Sequence, residues 1–242
     1  MTEKQVEGKM IQLKINDREF SVHEGRTLLE ACREHGIYIP TLCYHPALEP
    51  FGACRLCMVE VSTPPRPPRL VASCVTPCEP GMQVHTDTPA VKKSRKMTAE
   101  LLLSEAHAST ELQHIARNLG VDTVRYQAPS DDDCILCGLC VRACEEIVGV
   151  SAITTIYRGF SKQVSPPFQI ESTTCIGCGT CVLVCPTNAI KLEDISKFAN
   201  NRRDPQNILS AEAVLADESS YVYRAIRKRQ LQPGSNGHGK KS

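Results

Sequence analysis

The sequence predicts an α+β protein built from small domains. Three observations carry that expectation. Apolar and polar residues alternate through Met10–Val22, where "IQLKI" and "FSVHEG" flank the polar turn "NDRE", the two-residue period of a β-hairpin. A helical spacing of apolar residues appears in "TLLEACREHG" and returns between Pro89 and Gly120. The third observation is fourteen cysteines in 242 residues, with no Trp and aromatics at only 5%, so thiol chemistry rather than a large aromatic core must organise much of the chain.

The elements follow in order. In "TLLEACREHG", Leu28, Leu29, Ala31 and Cys32 give one apolar side and Gly36 is a natural C-terminal stop. "IYIPTLC" reads as extended, since Pro40 is unsuited to a helix. "CMVEV" and "RLVASC" read as strands, joined by a stiff proline-rich hairpin loop "STPPRPPR". Strands and one helix around a cysteine loop suggest a small α+β domain. Beyond Pro89 a helix–break–helix connector is expected. Leu112, Ile115, Ala116 and Leu119 share one helix face, Thr110 with Gln113 suggests a capping box opening a helix near Glu111, and Gly120 ends it. After Ile190, "NNRRDPQN" reads as loop and "SAEAVLADESSYVYRAIRKRQ" as helical. "QPGSNGHGKKS" has a disordered composition, and the basic run "RAIRKRQ" reads as a solvated face.

Charge is nearly balanced, 28 Lys and Arg against 27 Asp and Glu, so no basic field of the kind nucleic-acid binders use is implied. The stretch "MTEKQVEGKMIQLKI" lacks the apolar core and cleavage site of a signal peptide. No run approaches the ~18 apolar residues of a membrane span. A cytoplasmic protein with reduced thiols is expected. A disulfide scaffold fits less well, because most cysteines fall in CxxC steps.

Two copies of one pattern dominate: "CILCGLCVRAC" and "CIGCGTCVLVCP", each C-x2-C-x2-C-x3-C. The first holds Cys134, Cys137, Cys140 and Cys144; the second holds Cys175, Cys178, Cys181 and Cys185, followed by Pro186. Three thiolates at this spacing can wrap one face of a cubane, while the fourth cysteine starts a helix that carries it toward the other cluster. Gly138, Gly177 and Gly179 let the backbone approach. Zinc sites pair two CxxC knuckles across a longer loop, a different pattern. The region resembles a bacterial two-[4Fe–4S] ferredoxin, although the first motif ends "CEE" without the proline. The resemblance implies one cluster on Cys134, Cys137, Cys140 and Cys185, and another on Cys175, Cys178, Cys181 and Cys144.

A further set, Cys43, Cys54, Cys57 and Cys74, is spaced C-x10-C-x2-C-x16-C, with a longer first gap than the plant-type [2Fe–2S] pattern. With "YIPTLCYHP" and "CRLCMVEV" it resembles the N-terminal region of the large iron–sulfur subunit of respiratory complex I. It is also similar to the accessory domains of iron-only hydrogenases and to the diaphorase subunits of NAD-linked hydrogenases and formate dehydrogenases. That resemblance implies a plant-type, ferredoxin-like β-grasp holding one [2Fe–2S] cluster on those four cysteines. Cys78 competes with Cys74 for the fourth place, and the resemblance favours Cys74. Cys32 reads as a buried apolar residue.

The same relatives carry a further [4Fe–4S] site, held by one histidine and three cysteines, on an "LLL…H…C…C…C…LQ" pattern. Here "LLLSEAH" and "ELQHIARNLG" are present, but only "AST" lies between them. His107 is therefore expected to hold no cluster, and His114 to be an ordinary helix residue. The expected layout is 8–88 [2Fe–2S] domain, 89–126 helical connector without that histidine-and-cysteine site, 127–195 two-[4Fe–4S] domain and 196–242 C-terminal extension.

No G-x-G-x-x-G or phosphate-binding G-x-x-x-x-G-K is present, so no catalytic, flavin or nicotinamide site of its own is expected. By resemblance the chain would be an electron-transfer subunit of a hetero-oligomer. It would relay single electrons between a flavin- or NAD(P)H-binding oxidoreductase subunit and a further redox subunit: a hydrogenase, a formate dehydrogenase or a bifurcating enzyme. Within that class, succinate dehydrogenase and fumarate reductase iron–sulfur subunits have a shorter first gap and generally lack one of the eight cubane cysteines, all of which stand here. A non-redox or oxygen-sensing iron–sulfur protein is the alternative from another class.

Overall fold

The structure is a computed structural model. It describes residues 9–127, 133–169, 174–194, 208–209 and 223–227, with backbone alone for 169, 192–194, 208–209 and 223–227. Two compact units share the chain: Met1–Tyr44 with Pro50–Leu101 and Ile115–Val124, and His45–Glu49 with Leu102–His114 and Arg125–Ser242.

In the first unit, β1 (Met10–Ile15) and β2 (Arg18–His23) form the expected hairpin. Its loop is only Asn16-Asp17, both with positive φ (49° and 67°), the backbone that a two-residue hairpin turn of matching twist requires. Asn16 also ties the turn down: its carboxamide donates to Thr86 Oγ1 at 2.8 Å and accepts from the Thr86 N–H at 2.9 Å. β1 alternates exposed and buried residues, sending Ile11, Leu13 and Ile15 into the core.

β3 (Met58–Ser62) and β4 (Arg69–Ala72) pair antiparallel around the proline-rich loop, as expected. β5 (Gln83–His85) is a strand that the sequence reading does not give. It completes a mixed sheet of order β2-β1-β5-β3-β4, parallel to β1 and antiparallel to β3. Three residues are too few for a period of two to show; tertiary pairing on both sides makes this segment a strand.

α1 (Leu28–Glu34) sends Leu28, Leu29, Ala31 and Cys32 into the core. A capping box starts it: Glu30 N–H donates to Thr27 Oγ1 at 3.3 Å, and Thr27 N–H donates to Glu30 Oε2 at 2.9 Å. Gly36, at φ 71°, follows its end as expected. The sheet and this single helix make the β-grasp arrangement. "IYIPTLC" is irregular rather than a strand.

α2 (Pro89–Glu105) and α3 (Thr110–Asn118) are the two expected helices. Leu112, Ile115 and Ala116 are buried on α3, and His114 is exposed. The cap differs from expectation. Ser109, not Thr110, supplies the accepting oxygen, to Leu112 N–H at 3.4 Å, and the Gln113 carboxamide donates to the His107 carbonyl at 2.7 Å. The helix therefore begins a residue earlier, and Gln113 helps to close the turn before it. At its end, Val121 N–H bonds to Ala116 O and Gly120 N–H to Arg117 O, with Gly120 at φ 74°, which is a Schellman motif.

In the second unit the two cysteine motifs fold alike. Each ends in a short helix, α4 (Leu139–Arg142) and α5 (Thr180–Leu183). One expectation is corrected: the third cysteine of each motif, not the fourth, lies at the helix start. Cys144 sits in a π-helical turn (Ala143–Ile147) after α4, and Cys185 lies two residues beyond α5. β6 (Thr154–Ile156) and β7 (Gln163–Ser165) form a hairpin between the motifs. β8 (Ile190–Asp194) pairs with β9 (Ile208–Leu209) and with β10 (Tyr223–Arg227).

β10 overturns part of the helical reading of "SAEAVLADESSYVYRAIRKRQ". The segment "YRAIR" takes its backbone partners from β8 instead of from its own turns, a tertiary pairing that local spacing does not show. The "QPGSNGHGKKS" tail lies outside the described residues.

Candidate iron–sulfur centres

The first constellation lies wholly in the first unit. Cys43 and Cys54 come from the loop before β3, Cys57 immediately precedes β3, and Cys74 follows β4. Cys57 and Cys74 thus stand at adjacent ends of paired strands, where the register of Met58 with Ala72 brings their Sγ atoms to 3.4 Å. Ser73 fixes this junction, since both its hydroxyl (2.8 Å) and its N–H (3.1 Å) donate to the Cys57 carbonyl. Cys54 N–H donates to Cys43 Sγ at 3.3 Å. All four thiols are buried.

Their proton affinities show how tightly they converge. Hydrogen bonds from the Cys54 and Cys74 thiols hold Cys43 far below the usual thiol range. The hydrogen bond between Cys57 and Cys74 brings Cys57 down to about 6 against burial. Cys54 is raised by its bond to Cys43 and then by burial, and Cys74 by its bonds to Cys43 and Cys57. Four buried thiols bonded to one another and to backbone N–H groups are a donor set that fits a cluster bound by thiolates.

Cys78 has other electrostatic neighbours. It is in the apolar core, 5% exposed, and its thiol is pushed up to about 12 by burial, with Cys32, Glu30 and Glu34 adding to the effect. Cys32 is fully buried, as expected, and raised to about 11 by burial, with Arg95 opposing.

In the second unit, one cavity is lined by Cys175, Cys178, Cys181 and Cys144 together with Gly177 and Gly179. Its wall is otherwise apolar, from Val148, Val150, Ala152 and Ile153. Cys144 enters from the other motif. The same crossing shows in the electrostatics. Burial raises Cys181 to about 12, followed by the influence of Cys178, Cys175 and Cys144. Burial raises Cys140 well above the ordinary range, followed by Cys137, Cys134, Cys185 and, last, Cys181.

The crossing thiols each accept a backbone N–H, Cys144 from Ala152 at 3.2 Å and Cys185 from Ala189 at 3.3 Å. Thr180 and Thr187 hydroxyls lie 3.3 Å and 3.8 Å from Cys178 and Cys185. Such contacts orient sulfur and spread its charge. Sequence reasoning missed Ser73, Ala152, Ala189 and these threonines. Only the two threonines sit at a repeated offset, two residues after a cysteine, that could have flagged them.

The motif backbones repeat closely. Gly138 and Gly179 are left-handed at φ 76° and 72°, and so are Leu136 and Gly177 at 52° and 67°. A leucine therefore bears in the first motif the conformation that glycine supplies in the second, at a cost of about 1–2 kcal/mol.

Among the described residues no three His, Cys, Asp or Glu side chains gather to hold a single metal ion. A cluster spreads its ligands over several irons, which suits the thiol-lined cavity. His107 lies in the tight turn between α2 and α3, where only Ala108 and Ser109 separate it from Thr110. Among the described residues no helix is long and apolar enough to cross a membrane.

Comparison with known proteins identifies the domain families. Residues 8–89 match a 2Fe-2S iron–sulfur cluster binding domain family, and residues 129–192 match a 4Fe-4S dicluster domain family. An NADH-quinone oxidoreductase subunit of Rhizobium meliloti is 32% identical over 207 residues, spanning 75% of this chain and 24% of that protein. The mitochondrial NADH dehydrogenase [ubiquinone] iron-sulfur protein 1 of Solanum tuberosum is 30% identical over 216 residues, spanning 79% and 29%. A chain from the crystal structure of an NAD+-reducing [NiFe]-hydrogenase in its H2-reduced state superposes with a TM-score of 0.56 at 28% identity, covering 64% of this chain and 74% of that one. The chain spans less than a third of the length of the curated relatives it matches, 24% to 30%. It joins a 2Fe–2S cluster binding domain to a 4Fe–4S dicluster domain, and it is distantly homologous to the large iron–sulfur subunit of complex I and to a chain of an NAD+-reducing hydrogenase.

Proposed function

We propose that the chain relays single electrons between a flavin- or NAD(P)H-binding oxidoreductase subunit and a second redox subunit, within a hetero-oligomeric complex. Its own residues would hold three clusters: Cys43, Cys54, Cys57 and Cys74 a [2Fe–2S]; Cys134, Cys137, Cys140 and Cys185 one [4Fe–4S]; Cys175, Cys178, Cys181 and Cys144 the other. The clusters supply one-electron redox chemistry. The protein buries the four sulfurs of the first site, donates backbone N–H groups to Cys43, Cys144 and Cys185 and sets threonine hydroxyls beside Cys178 and Cys185, and burial and hydrogen bonding are means by which a chain sets potential.

The observation that carries this reading is the cavity in which Cys144 of the first motif joins three cysteines of the second. Crossed ligation is the hallmark of a two-cluster ferredoxin and has no use in a pair of independent zinc knuckles. The names of the relatives supply the NAD side of the relay: NADH-quinone oxidoreductase and an NAD+-reducing hydrogenase.

Anaerobic purification with iron and sulfide analysis tests the assignment. About ten irons per chain is expected from one [2Fe–2S] and two [4Fe–4S] clusters. About fourteen would restore the His107 site, and about six would leave one cubane motif empty. Redox titration in the presence of the co-purified flavoprotein tests the relay. Clusters that accept no electrons from it would overturn that role.

A further inference from the structure

Arg95 is the one buried cation among the described residues, at 7% exposure. On α2 it lies between Val91 and Ala99 at four-residue intervals, and both neighbours are fully buried. An apolar residue would continue that face. A guanidinium there gives up its hydration and needs compensation. None of the ion pairs formed among the described residues includes it. Instead its Nε and Nη2 both donate to the Met58 carbonyl, at 3.0 and 2.6 Å. Met58 directly follows Cys57. Burial weakens the hold of Arg95 on its proton, and the strongest opposing influence is Cys57, ahead of Asp87 and Cys32.

We infer that Arg95 is a positioning residue for electron transfer: its fixed, buried positive charge beside Cys57 raises the reduction potential of the first cluster site. This rests on the proposed [2Fe–2S] ligation by Cys43, Cys54, Cys57 and Cys74. A cluster on four thiolates is anionic in both redox states and gains one further negative charge when it accepts an electron, so a nearby cation favours the reduced form. The charge lies under α2 and away from solvent, so salt screens it weakly. A guanidinium suits the task because it keeps its proton even when desolvated. Forked donation to the Met58 carbonyl holds the planar group in one place, which an ammonium on a flexible stem would do less well.

A mere anchor of α2 to β3 would use the same hydrogen bonds, and the experiment must separate the two roles. The full chain and its Arg95→Lys, Arg95→Gln and Arg95→Met variants are reconstituted anaerobically. The [2Fe–2S] signal is titrated by electron paramagnetic resonance, with the cubane signals as internal controls. The neutral variants are expected to lose at least tenfold in the reduced-to-oxidised ratio at fixed poise, equivalent to about 59 mV for one electron. Arg95→Lys should recover at least half of that shift, the cubanes should not move, and the difference should persist at high salt. Equal midpoints in all four proteins overturn the inference. So does a Lys variant shifted as far as the Met variant, or failure of the Gln variant to load the cluster, since either would mark Arg95 as an anchor. Absence of a [2Fe–2S] signal from the unmodified chain is a separate result; it refutes the ligation itself.

Discussion

Cys74 and Cys78 stand four residues apart, and alanine at each should give opposite results. Cys78 is 5% exposed inside the first unit's core, and its electrostatic neighbours are Cys32, Glu30 and Glu34 rather than the converging thiols. Cys78→Ala deletes one buried heavy atom. By analogy with removal of a single buried methyl group, that costs about 0.5–1.5 kcal/mol. For a domain of the size matched at residues 8–89, a loss of about 1 kcal/mol lowers Tm by about 4–8 °C. The [2Fe–2S] spectrum and iron content should be unchanged. Cys74→Ala removes a thiol that bonds to both Cys43 and Cys57, and the [2Fe–2S] signal should vanish with about two irons per chain. Anaerobic electron paramagnetic resonance, iron analysis and thermal unfolding on both variants make the assay. Loss of the signal in Cys78→Ala would refute the reasoning. So would a Cys74→Ala protein that keeps its signal and loses it only when Cys78 is also replaced, because Cys78 would then be within reach of the site.

Alkaline pH should weaken the first unit. Burial raises Cys32 and Cys78 from an ordinary 9.0 to about 11 and about 12, so the folded state retains protons that the unfolded chain releases. Their contribution is complete below pH 9 and falls by about 1.4 kcal/mol per pH unit for each thiol, until the pH passes about 11 for Cys32 and about 12 for Cys78. Denaturation midpoints between pH 8 and pH 11 should show this slope, and a Cys32→Ala, Cys78→Ala double variant should flatten it; a parallel decline in both proteins would locate the effect in other groups. Gly177→Ala should leave about eight cubane irons in place, because Leu136 bears the equivalent left-handed backbone in the first motif, and should cost about 1–2 kcal/mol in stability. Loss of four irons would mean that the glycine is needed for space at the cluster rather than for backbone conformation.

What the sequence made legible follows the reach of each signal. The β1–β2 hairpin, α1 and the β3–β4 hairpin are written in local periodicity, and their residues fold where that periodicity puts them. The two cubane motifs are legible because a short, repeated thiol spacing tolerates little variation. β5 and β10 were not legible, because each is defined by a partner far away in sequence, β1 and β3 for one and β8 for the other. Helix boundaries failed by one residue for a similar reason: Ser109 and Thr110 are both good caps, and the turn at His107–Ser109 decides between them. Arg95 was hidden within a basic stretch, "KKSRK", whose lysines Lys92, Lys93 and Lys96 are exposed and whose arginine alone faces inward.

The first unit also shows why burial by itself does not identify a ligand. Cys57, Cys74, Cys32 and Cys78 belong to one apolar core, and each is at most 5% exposed. Hydrogen bonding separates them. The Sγ atoms of Cys57 and Cys74 lie 3.4 Å apart, and Cys74 also bonds to Cys43, so these thiols converge on one point. Cys32 and Cys78 have hydrocarbon around them and carboxylates Glu30 and Glu34 within electrostatic range of Cys78, an environment that penalises thiolate and keeps the proton on sulfur. The thiols therefore share one core without sharing one environment: the ends of β3 and β4 bring Cys57 and Cys74 together, while α1 carries Cys32 into the apolar packing that also encloses Cys78.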